Sequence, residues 1–162
     1  MTAKRLRFLL FSFLALILLV LFDALTKHLA VLYLSGSDGI DIIPGVFRLV
    51  YLENTGAAFG ILRGMKWFFV VLTIVICAAI VRILVKMPLE KRFYPFACDL
   101  VVLLAGAIGN FIDRIRLGYV VDFFYFSLIN FPIFNVADIY VTMSVLVLFI
   151  LILKGEDYEE LF

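Results

Sequence analysis

The sequence predicts an all-α polytopic membrane protein with four transmembrane helices and a small extracytoplasmic β-structured loop region. Three observations carry this. Of its 162 residues, 65% are hydrophobic, whereas soluble domains run at about 45–50%. Mean hydropathy is +1.17, and a chain this short, folded in water, has too much surface for its volume to hide so many apolar groups. Four stretches are apolar over about 20 residues, the length a helix needs to cross the hydrocarbon layer. Helices are the expected form, because each satisfies its own backbone polar groups in lipid. The length suits a single domain, residues 1–162.

The first span covers about residues 8–31. It follows Lys4, Arg5 and Arg7, as in a secretory signal peptide. No small-x-small cleavage site comes after it, however, and Asp23 and Lys27 do, so it is read as an uncleaved helix. A longer loop, about 32–66, comes next. It turns near Pro44 and Gly45, and residues 46–52 are rich in β-formers, which predicts a small β-structure at the membrane surface. The second span is about 67–85, followed by a short basic loop with Lys86, Lys91 and Arg92. The third span, about 93–112, leads into a loop over 113–133. The fourth, about 134–153, ends in an acidic tail at 155–160.

Basic residues flanking short loops set orientation. Lys4, Arg5, Arg7, Arg82, Lys86, Lys91, Arg92 and Lys154 fall on one side; Arg48, Arg63, Lys66, Arg114 and Arg116 fall on the other, with Lys27 near that boundary. The bias places both termini in the cytoplasm. A net charge of +1 gives no electrostatic case for nucleic acid. Cys77 and Cys98 form neither a disulfide framework nor a zinc ligand set. His28 is the one histidine, which excludes a histidine-rich metal site. No cofactor and no metal are expected.

Counting sides brings the polar residues together. Asp23 and Lys27 close the first span, Asn54 lies in the loop beyond it, and Asn110, Asp113 and Arg114 end the third span on the same side. Asp122 lies in the next loop, and Asn135 and Asp138 open the fourth span. Helical spacing sets Asp23 beside Lys27, and Asn135 beside Asp138. Ionisable groups near hydrocarbon are costly, so several converging at one face point to a functional site. Plainer readings exist for each taken alone. Asp23 and Lys27 suit an interfacial ion pair. Asp113-Arg114 suits a helix stop. Asn135 suits an N-cap, with Asp138 in the first helical turn. Asp99 and His28 suit interfacial or packing positions, and Gly56 and Gly60 a close-packing pair.

Four stretches resemble the motifs of the lipoprotein signal peptidase (signal peptidase II) family. They are Asp23-Ala24-Leu25-Thr26-Lys27; Glu53-Asn54-Thr55-Gly56-Ala57-Ala58-Phe59-Gly60; Gly109-Asn110-Phe111-Ile112-Asp113-Arg114, running through Gly118 to Val120-Val121-Asp122-Phe123; and Phe134-Asn135-Val136-Ala137-Asp138. Their order and spacing match over essentially the whole chain. Val141, where the family often has isoleucine, is a small departure that touches no chemistry.

The resemblance implies an intramembrane aspartyl endopeptidase of the bacterial cytoplasmic (inner) membrane. Its substrates would be prolipoproteins already carrying diacylglyceryl on a cysteine, cut just before that cysteine at the extracytoplasmic face. By position, Asp122 and Asp138 would be the catalytic pair, and Asp23, Lys27, Asn54, Asn110, Arg114 and Asn135 supporting residues. Asp113 matches the motif with a less defined role. Two adjacent carboxylates sharing one proton supply both the base that activates water and the acid that assists the leaving group. Membrane lipid and the lipidated precursor are the expected partners, and the expected state is a monomer. Competing readings are a small proton- or ion-coupled transporter, a membrane scaffold, and a serine–lysine peptidase using Ser35 or Ser37 with Lys27.

Overall fold

An unpaired backbone N–H or C=O has no water to turn to in lipid, so the apolar stretches form helices. The computed structural model describes residues 2–56 and 61–153. In chain order it contains α1 (Ala3–Leu34), β1 (Ile40–Ile43), β2 (Phe47–Asn54), α2 (Lys66–Lys86), α3 (Tyr94–Arg116), β3 (Val120–Tyr125) and α4 (Val136–Leu153). Short 3-10 turns occupy Lys91–Phe93 and Ser127–Ile129. Residues 57–60, which close the second motif and include Gly60, lie outside the described residues, as do Lys154 and the acidic tail.

All four helices are long and apolar enough to cross a membrane, and α3 is their hub. Half of its apolar window (50%) is buried inside the protein, against 6% for α1 and 17% for α2 and α4. The other three therefore turn most of their apolar surface outward, where lipid is the fitting solvent. Ile80 and Leu84 of α2 pack on Phe96, Leu100 and Leu104 of α3, with Phe8 and Leu16 of α1 against the same cluster. Gly106 sets the approach of α4: a Cβ there would lie 2.6 Å from the Ala137 carbonyl oxygen and 2.9 Å from Val141 Cγ2. Small residues permit such close helix contact.

At 32 residues, α1 is about 48 Å long, well beyond the hydrocarbon thickness of about 30 Å. It overruns the predicted span at both ends. Thr2 caps its start by accepting from the Arg5 N–H, and Ala30 and Leu34 at its end pack beneath Val121 and Phe123 of the sheet.

The sheet is antiparallel with order β1-β2-β3. Pro44 and Gly45 occupy the central positions of the β1–β2 turn, closed by the Val46 N–H on the Ile43 carbonyl. Gly45 has φ +73°, the left-handed value that a type II turn demands after proline. The third strand is a correction to the sequence reading, which left 113–133 as a loop. Val120, Val121, Phe123, Phe124 and Tyr125 are β-formers, and β2 supplies their partner, with Glu53 opposite Val121 and Leu52 opposite Asp122.

A second correction concerns the end of α3. Asp113 and Arg114 do not stop it. The helix continues to Arg116 and ends where Gly118 takes φ +88°, with the Gly118 N–H on the Arg114 carbonyl. Glycine is the usual residue for that left-handed cap.

Candidate active site

The site is assembled where the end of α1, the end of α3 and the start of α4 meet the edge of the sheet. It begins with a local device. Asn135 Oδ1 accepts the Asp138 N–H at 3.0 Å, and Asp138 Oδ2 accepts the Asn135 N–H at 3.1 Å. This reciprocal pair is a capping box, satisfying two backbone donors at the start of α4. The plain N-cap reading and the functional reading thus describe the same two residues. A third donor, the Ala137 N–H, is taken by Asp23 Oδ1 from α1 at 2.9 Å.

The Asn135 amide then reaches outward. Its Nδ2 donates to Asp122 Oδ1 at 2.6 Å and to Asn110 Oδ1 at 3.1 Å. Asp122 Oδ2 accepts a second bond from Asn54 Nδ2 at 2.8 Å. The Asn54 side-chain oxygen is held by the Gly56 N–H at 2.9 Å, which orients the amide. Asn110 Nδ2 donates to Asp138 Oδ1 at 2.8 Å. Each of the two carboxylates therefore accepts two hydrogen bonds from neutral donors, and Asn135 serves both.

A charged layer lies behind them. Lys27, 3% exposed, places its ammonium 2.9 Å from Asp23 Oδ2, 3.1 Å from Asp113 Oδ2 and 3.0 Å from Asn110 Oδ1. The Asp23 contact is an ion pair without an aligned hydrogen bond, since Asp23 Oδ2 has no hydrogen-bond partner among the described residues. Asp113 Oδ2 also accepts the Val121 N–H at 3.2 Å, tethering the strand beside Asp122. Asp113 therefore pairs with Lys27, whereas Arg114 donates to the Asn110 and Gly56 carbonyls and lies 4.7 Å over the Phe69 ring. Gly109 lets α1 and α3 close up: a Cβ there would collide with the Asp23 carboxylate.

All eight residues singled out in the sequence as pair or support thus join one network. Asp113 was missing from that set, although its place three residues after Asn110 signals the shared helix face. The backbone donors of Ala137 and Val121 carry no sequence signal. Elsewhere, His28 is exposed, and Asp99 is buried at 8% exposure. Ser144 Oγ donates to the Asp99 backbone carbonyl at 3.4 Å.

Electrostatics separates Asp122 from an ordinary carboxylate. Burial, with the nearby Asp138 charge as a second cause, pushes its pKa from 3.8 up to about 7, against the lowering pull of the Asn54 and Asn135 bonds. Asp23, Asp113, Asp122 and Asp138 stand against the two cations Lys27 and Arg114. A proton retained on the outer pair reduces that imbalance. Both outer aspartates line a cavity of about 500 Å³, with Phe131, Phe134 and Ile139 among its apolar walls. This arrangement suits a water held between a carboxylate base and a carboxylic acid. Among the described residues no cluster of three or more His, Cys, Asp or Glu is arranged to hold a metal ion.

Comparison with known proteins gives the family. Residues 15–154 match the family described as signal peptidase (SPase) II. The lipoprotein signal peptidase of Streptococcus thermophilus (strain CNRZ 1066) is 45% identical over 143 residues, covering 88% of this chain and 92% of that protein. The lipoprotein signal peptidase of Streptococcus pyogenes serotype M1 is 43% identical over 145 residues, covering 90% and 94%. Among solved structures, a bacterial membrane enzyme determined by the in meso method at 1.9 Å resolution aligns with a TM-score of 0.78 and 37% identity, covering 90% of this chain and 94% of that one. Another, at 2.3 Å, gives 0.79 and 34%, covering 90% and 92%. The transporter reading finds no support in these matches. With the family matched over most of its length, the chain belongs to the signal peptidase II family and is a peptidase.

Proposed function

We propose that this protein is an aspartic endopeptidase that removes the signal peptide from diacylglyceryl-modified prolipoproteins, cutting before the lipidated cysteine with Asp122 and Asp138. The observation that carries this is the single asparagine, Asn135, bonded to both carboxylates at 2.6 and 3.1 Å in one cavity. One aspartate takes a proton from water as the oxygen attacks the scissile carbonyl. The other, protonated, hydrogen-bonds the carbonyl oxygen as negative charge develops there. The proton then passes to the leaving nitrogen. Like charges so close resist double ionisation, and the shared proton belongs to the pair.

The medium selects the substrate. Ile139 and Met143 of α4 line the cavity while remaining 39% and 53% exposed, so the cavity opens sideways toward lipid. A signal peptide's apolar helix can approach by that side while its diacylglyceryl chains stay in the bilayer, each buried CH₂ contributing about 0.8 kcal/mol. In this reading the chain is a single-domain monomer of the bacterial inner membrane. The charge bias of the flanking loops supports cytoplasmic termini, which puts the sheet and the carboxylates at the extracytoplasmic face.

The test is cleavage of a purified diacylglyceryl-modified precursor by the wild type, Asp122→Asn and Asp138→Asn. Both variants are expected to lose activity by about 10²–10⁴-fold, the usual worth of a positioned acid or base, while retaining the wild-type unfolding temperature to within a few degrees. Either variant cleaving at the wild-type rate would rule out the pair.

A further inference from the structure

A second cavity, of about 820 Å³, lies between α1 and α3 at the opposite end of the bundle from the sheet. The helices face each other there through small side chains, Ser12 and Ala15 on α1 and Ala97 and Cys98 on α3. These leave room that larger residues would fill. Phe8 and Tyr94, stacked at 6.5 Å, bridge the two helices within it. Its walls are hydrocarbon, but its mouth is cationic.

Three features make that mouth an anion site. Lys4 and Arg7 stand on it. The Lys4 ammonium gives one hydrogen bond to the Leu89 carbonyl, at 2.7 Å, which leaves two of its three donors. The Arg7 side chain has no polar partner among the described residues. In addition, α1 and α3 both begin at this end, so the positive ends of two helix dipoles converge on it. The depth also fits a lipid. From Tyr94 to Val102, both lining residues, is about 12 Å of helix. That is close to half of the hydrocarbon layer of about 30 Å, one leaflet.

We propose that this groove binds one anionic phospholipid, with its phosphate at Lys4 and Arg7 and an acyl chain between α1 and α3. A zwitterionic lipid would bring its own cation against Lys4 and Arg7. The N-terminal part of a signal peptide would do the same, because it is itself basic. The site is separate from the aspartate pair and does not rest on the proteolytic reading.

Native mass spectrometry of the full chain in detergent, with equal amounts of phosphatidylglycerol and phosphatidylcholine of matched chain length, tests this. The wild type is expected to retain phosphatidylglycerol preferentially. Each charge removed in Lys4→Gln and Arg7→Gln is expected to lower that preference about fivefold. Cys98→Phe, which fills the groove and leaves the charges, is expected to lower retention of both lipids. Glycerol phosphate, the headgroup without chains, is expected not to displace the bound lipid. Should Lys4→Gln unfold for want of the tie to Leu89, Arg7→Gln alone carries the test. Equal retention of the two lipids by the wild type, or a preference that survives Arg7→Gln unchanged, would mean a bulk lipid shell only and overturn the proposal.

Discussion

The polar cluster has two halves that hold their carboxylates differently. On the α1 side, Asp23 and Asp113 face the Lys27 ammonium at 2.9 and 3.1 Å. On the β3–α4 side, Asp122 and Asp138 are held by asparagines. Ion pairs to one shared ammonium tie α1 to α3. The asparagines fix Asp122 in space without a cation in hydrogen-bond contact, and burial there lifts its pKa to about 7 against their lowering pull. Asn110 touches both halves, accepting from Lys27 and donating to Asp138, so the ionic half positions the asparagine-held one.

Perturbing each half separately sharpens the contrast. The largest stability effect is expected from Lys27→Met, which leaves the buried Asp23 and the partly buried Asp113 without their cation. Breaking a buried pair costs about 3–5 kcal/mol, read as a lowered midpoint of denaturant unfolding in detergent. An unchanged midpoint would show that the ionic half does not hold the helices. Gly109→Ala comes next. Its methyl would meet the Asp23 carboxylate and lie 3.3 Å from Ala137 Cβ, and such overpacking costs about 1–3 kcal/mol in the same assay. Asn54→Ala acts on the other half and is expected to divide its effect differently. Cleavage falls about tenfold, equivalent to about 1.4 kcal/mol for a lost hydrogen bond, while unfolding moves less. A variant losing stability but no activity would merge the two halves into one structural cluster.

What was legible in the sequence followed what local chemistry can encode. The four spans were readable because lipid demands long apolar helices, and α2, Lys66–Lys86, matches its predicted span almost residue for residue. Asn135 and Asp138 were readable as an N-cap and a first-turn carboxylate, which neighbouring residues encode, and the family resemblance singled them out; their reciprocal bonding appears only in the structure. The strand carrying Asp122 was not, since its hydrogen-bond partner is β2, far earlier in the chain. The end of α3 was placed too early because Asp113 and Arg114 look like a polar stop, whereas burial against Lys27, Gly56 and Phe69 keeps them inside the helix. The Asp23 bond to the Ala137 N–H was invisible for a related reason: any residue type at 137 presents that donor.

Asp122 adds a pH dependence whose sign can be worked out. Its folded pKa, about 7, lies above the ordinary 3.8. The folded protein therefore holds a proton that the unfolded chain releases, and the Asp122 contribution to stability falls as pH rises from about 4 to about 7. Asp122→Asn is expected to flatten that slope in unfolding experiments.

In the proposed mechanism the same proton bears on catalysis, and the pH profile of cleavage reads it most directly. The measurement is kcat/KM for a diacylglyceryl-modified precursor, taken from about pH 5 to about pH 9 across the alkaline limb. With one proton shared by the pair, the rate is expected to bend near pH 7 and fall toward tenfold per unit above it, as the second carboxyl ionises. A rate that stays level or climbs through pH 9 would contradict a proton shared between Asp122 and Asp138.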